Sequence, residues 1–99
     1  MRDNIISPEQ ARREYWKIRE SEISVIKSAL SVLGSGGGIW PRHNASAVLH
    51  RMAPLKNLVR LVLANKDKIY ISKQVMENLL EDAAWLEKVR AKAEHFLNS

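Results

Sequence analysis

The chain has no cysteine among its 99 residues. That excludes disulfides, thiolate zinc sites and a cysteine nucleophile together, and it suits a reducing compartment. Long apolar runs are missing too. No stretch approaches the ~20 residues of a membrane-spanning helix, and the N-terminal MRDNIISPEQARREYW lacks the apolar centre of a signal peptide. A soluble intracellular protein, without a membrane role, is the expectation.

Glycine is nearly as scarce. All four glycines stand within Gly34-Ser35-Gly36-Gly37-Gly38. A phosphate-binding loop is excluded, because no Lys-Ser/Thr follows and the run comes after a helical pattern instead of a strand. Two readings remain for this linker at 34–38. In one, Gly34 ends a helix in the left-handed conformation and the rest reverse the chain. In the other, the run is a flexible tether inserted between two fragments, 1–33 and 39–99. Either way the chain 1–99 reads as one helical domain.

What is present is mostly helix-forming. Ser7-Pro8-Glu9-Gln10 is a strong start signal: a capping serine, a proline at the first helical position and a glutamine to close a capping box. A long helix is expected over 8–33, with one apolar stripe of Ala11, Tyr15, Ile18, Val25, Ala29 and Val32. Trp16, Ile23, Ile26, Leu30 and Leu33 form a second stripe beside it. Asn44 is expected to cap a short helix to Met52, and Pro54 to separate it from a second short helix over 54–64. KDKIYI reads as an extended connector, and Ser72 opens a long helix to about Leu97. Asp82 sits in the apolar seam of that last helix, and Glu22 in a stripe of the first. The predicted fold is all-α, a small bundle of about four helices, two long and two short. A domain of this length buries roughly 60–65% of its unfolded surface, so pairing with a second chain would help complete the core.

Acidic residues are nearly absent from the middle third. Residues 39–74 hold Arg42, Arg51, Lys56, Arg60, Lys66, Lys68 and Lys73 against Asp67 alone, within a chain of net charge +5. These seven side chains are the candidate nucleic-acid contacts, with Trp40 or Tyr70 available to stack on an unpaired base. A helix-turn-helix fits poorly, because 54–64 offers base edges only Lys56, Asn57 and Arg60 among large aliphatics. His43 and His50, seven apart, are not at metal-pair spacing and have no third ligand nearby. No adjacent carboxylates converge for acid–base chemistry. A seam carboxylate such as Asp82 or Glu22 is read either as functional, with a raised pKa or a partner arginine, or as a register-setting ion pair or an edge position. Neither catalysis nor a metal or cofactor is expected.

The three tryptophans point elsewhere. Trp16, Leu80 and Trp85 are the candidate protein-interaction residues: tryptophans are favoured hot-spot anchors, and Leu80 and Trp85 stand off the seam of the last helix, where they are expected to form one exposed patch. The leading expectation is a small interaction module, adaptor or regulator, that binds a protein partner or forms a homodimer through its long helices. The second is a nucleic-acid-associated regulator using residues 42–73.

Overall fold

A computed structural model describes residues 6–34 and 40–98. Among these residues three α-helices run up, down and up: α1 at Pro8–Gly34, α2 at Pro41–Ala64 and α3 at Lys73–Leu97. The all-α class holds, and among the described residues there is no strand. The run 35–39, which includes most of the Gly/Ser linker, lies outside the described residues.

The helix count is three, not about four, because Pro54 does not end a helix. α2 continues through it. A proline inside a helix removes one N–H and crowds the carbonyl four residues earlier, here that of His50. Pro54 and His50 both lie on the solvent side of α2, where water can serve the carbonyl. On the opposite side Met52 and Leu55 are buried, so apolar packing holds both halves of the helix in line. The start of α2 also differs from expectation. Pro41 occupies the first turn, Trp40 gives its carbonyl to the Asn44 N–H at 2.8 Å, and Asn44 is therefore inside the helix instead of capping it.

The starts of α1 and α3 follow their sequence signals. The Ser7 hydroxyl accepts from the Gln10 N–H at 3.1 Å, and the Gln10 amide oxygen accepts from the Ser7 N–H at 3.1 Å. Ser72 caps α3 by accepting from the Val75 N–H at 3.2 Å. Between α2 and α3 the chain turns over Asn65–Lys68, where the Asn65 side chain donates to the Leu61 carbonyl at 2.9 Å and closes the end of α2.

The core lies along α2. Its buried residues are Ala45, Val48, Met52, Leu55, Val59 and Val62, an alternation of three and four that keeps one line facing its neighbours. α3 answers with Leu79, Asp82, Leu86, Val89 and Ala93. On α1 the two expected stripes collapse into one: Ala11 and Tyr15 from the first, Ile26 and Leu33 from the second. Val25 and Val32 are 40% exposed. The buried line on α1 drifts because 3.6 residues per turn does not match a strict seven-residue repeat. α2 packs along both other helices, whereas α1 and α3 meet over only a short stretch. That leaves an open groove between them.

Candidate functional site

Where α1 and α3 do meet, a buried carboxylate is held by two side chains of α1. Asp82 is 4% exposed. Tyr15 donates its hydroxyl to Asp82 Oδ2 at 2.6 Å. One turn further on, Arg19 donates from Nε to Oδ2 and from Nη2 to Oδ1, each at 2.9 Å. This is the two-pronged geometry that suits guanidinium to carboxylate and fixes their relative orientation. Burial, then the hydrogen bond to Asp82, pushes the Tyr15 hydroxyl well above its ordinary range and keeps it protonated. The hydrogen bonds from Asp82 hold Arg19 firmly in its charged form. Nearby the Arg19 guanidinium lies 6.0 Å from the centre of the Trp16 ring, within cation–π range. Arg12, one turn before Tyr15 and Trp16, donates to the backbone carbonyl of Tyr70. It ties the start of α1 to the segment leading into α3.

The groove opens on either side of this network. On one side Arg19, Glu20, Ile23 and Lys27 of α1 face Glu81, Asp82 and Trp85 of α3 across a cleft of about 380 Å³. On the other, Trp16, Lys17, Arg19 and Glu20 face Gln74 and Asn78 across about 340 Å³. Ile23 and Trp85 are half-buried, each resting one edge on the core. Trp16 is 41% exposed. The groove is thus apolar at its centre, ionic at its floor and charged along its rim.

The candidate interaction residues do not all fall together. Trp16 and Trp85 lie on the groove, in adjoining recesses that share Arg19. Leu80, 56% exposed, does not. Five residues along a helix correspond to a rotation of about 140°, so Leu80 and Trp85 cannot form one patch.

The basic residues are dispersed as well. Arg51 lies on the α1 side of α2, in a cleft with Glu22, Val25, His43, Ser46, His50 and Pro54. Lys56 stands on the opposite flank, close enough to Glu87 of α3 to help lower that carboxyl's pKa, behind the larger effect of Arg90. Arg42 and Arg60 share the α3-side flank with Lys56 by helical position, and both are exposed. Lys66 and Lys68 occupy the α2–α3 turn, and Lys73 begins α3. Tyr70, 76% exposed, stands between those lysines. Glu22 lies beside the two histidines in the α1–α2 cleft, yet no three acidic or histidine side chains are gathered as a metal ion would need, among the described residues.

The sequence singled out Asp82 as a carboxylate in an apolar seam and left open whether it was a functional group, a member of an ion pair or an edge position. Tyr15 read as core, and Arg19 carried no signal of its own. The available clue was position: Tyr15 and Arg19 are four apart beside a buried stripe, the spacing at which two side chains reach one acceptor on a facing helix. Compared with known protein families, curated proteins and solved structures, the chain matches none of them. No helix among the described residues is long and apolar enough to cross a membrane.

Proposed function

We propose that the protein is a small intracellular interaction module, an adaptor or regulator, whose docking surface is the groove between α1 and α3. One observation carries this reading: α2 is packed on both sides, while α1 and α3 leave Ile23, Trp85 and Trp16 only partly covered. Partly exposed tryptophans flanking a cleft are what interface hot spots use. The Tyr15–Asp82–Arg19 network supports a scaffold role in place of catalysis. Both carboxylate oxygens are engaged, and the network fixes how far apart the groove walls stand.

The test is recovery of the binding partner by Trp16→Ala and Trp85→Ala variants that keep wild-type helicity. Partner recovery should fall about tenfold or more in either, since tryptophan anchors carry a large share of binding energy. Leu80→Ala, on another face, should retain it. Full recovery with both tryptophans removed would dismiss the groove.

A second reading rests on Tyr70. It is the most exposed of the large side chains named here and is flanked by Lys66, Lys68 and Lys73, a combination that can stack on an unpaired base and meet its phosphates. Nucleic-acid retention must then weaken steeply with salt, because bound phosphates release counterions. Retention that ignores salt, or is unchanged by Tyr70→Ala, would remove this reading.

A further inference from the structure

The rim of the α1–α3 groove carries a charge pattern that is its own complement. On α1, Glu20 is followed seven residues later by Lys27, and on α3, Glu81 is followed seven residues later by Lys88. Seven residues are about two turns, so each lysine stands on the same side of its helix as its acid. Glu20, Lys27 and Glu81 line the groove, with Ile23 and Trp85 among them. Lys88 is exposed and shares the Glu81 side of α3 by helical position alone, two turns further on. α1 and α3 run in the same direction, as the matched pairs Arg12 with Tyr70 and Arg19 with Asp82 require. Glu20 and Glu81 therefore lie towards one end of the groove, with Lys17 one turn beyond Glu20, and Lys27 and Lys88 lie towards the other, with the apolar centre between.

Turned end for end about a two-fold axis near Ile23, this surface presents lysines to acids and acids to lysines. A two-fold dimer needs that self-complementarity, and an arbitrary helical partner would not. The outer side of α1 also offers Ser24, Ser28 and Ser31 beside Ile23, small side chains that let a second helix axis come close. We infer that the groove is occupied by α1 of a second copy of this chain, running antiparallel to the first α1. Lys27 of the second copy lies between Glu20 and Glu81, and Glu20 of the second copy lies between Lys27 and Lys88. Ile23 and Trp85 pack at the centre. This deepens the docking reading above and rests on it.

Charge reversal tests the pairing directly, because Glu20, Lys27, Glu81 and Lys88 are all exposed and the fold does not depend on them. One variant is Glu20→Lys/Glu81→Lys, the other Lys27→Glu/Lys88→Glu. Helicity and melting of the dilute proteins serve as the folding control, and sedimentation equilibrium gives the dimer constant. Wild type should dimerise reversibly. Each variant alone should dimerise about tenfold or more weakly, since like charges then face each other. An equimolar mixture of the two should regain affinity within roughly threefold of wild type. Undiminished dimerisation of the single variants, or a mixture with no gain, would overturn the inference and leave a dimer built on another face. A wild-type chain that is monomeric throughout also overturns it. In that case a heterologous partner lost on Trp85→Ala keeps the groove as a docking surface, whereas no such partner removes both.

Discussion

At the scale of single residues, Asp82 decides how α1 and α3 are registered. A carboxylate in an apolar seam is stable only with its hydrogen bonds supplied, and Tyr15 and Arg19 supply them. Replacing Asp82 by Ala strands a buried tyrosine hydroxyl and a guanidinium whose side chain is 18% exposed. Because Arg19 can turn part-way to water, the loss should be about 2–3 kcal/mol, below the upper range for a fully buried pair, read from the urea midpoint. Removing all three polar groups together, as Tyr15→Phe/Arg19→Met/Asp82→Leu, should be near neutral in stability, yet it should loosen the α1–α3 register. Broadened amide signals at that junction would check the second half.

The same network gives a pH signature. Tyr15 has its pKa raised above the ordinary 10.0, first by burial and then by Asp82. The folded state thus holds this proton more tightly than the unfolded chain. The associated stability is fully present below pH 10 and is lost as pH rises from there towards the folded value. Unfolding free energy should fall more steeply above about pH 10 in wild type than in Tyr15→Phe. Parallel curves would show that the hydroxyl is not buried against the carboxylate.

At the scale of elements, the starts of α1 and α3 were legible, and the start and the middle of α2 were not. Ser7, Gln10 and Ser72 act locally, and local hydrogen bonding is what a linear sequence records. Ser72→Ala should lower stability by about 1 kcal/mol, since its cap to Val75 is lost. Pro54 misleads because its effect depends on which way it faces, and that is set by Met52 and Leu55 packing on neighbouring helices. The same cause moved the buried line of α1 from Val25 to Ile26. Both are valines or isoleucines at acceptable spacing, and only the neighbouring helices choose between them. If Pro54 is tolerated and not needed, Pro54→Ala should stabilise the protein by about 1–2 kcal/mol. The roughly 3 kcal/mol helix penalty less the stiffening that proline gives the unfolded chain sets about 2–2.5 kcal/mol as the upper end, reduced here because water can serve the His50 carbonyl. A loss of stability instead would mean that a bend at Pro54 is required for packing.

At the scale of the whole molecule, an α2 flanked by α1 and α3 is a bundle with one place unfilled. The sequence indicated a thin core and surplus apolar side chains on the long helices. It did not indicate where they would gather, because the groove is made by residues more than 50 positions apart, such as Ile23 and Trp85. Trp16 and Trp85 reach it, Leu80 does not, and the basic residues are spread around α2 and the turn that follows. The docking surface we propose is the α1–α3 groove, and its occupant a second copy of the chain. Backbone amide shifts measured while the chain is concentrated from micromolar to millimolar test it most directly. Concentration-dependent shifts should gather at residues 16–30 of α1 and 78–88 of α3, leaving the exposed face of α2 around His43, His50 and Pro54 still. Shifts centred on that face of α2, or none at any concentration, would contradict it.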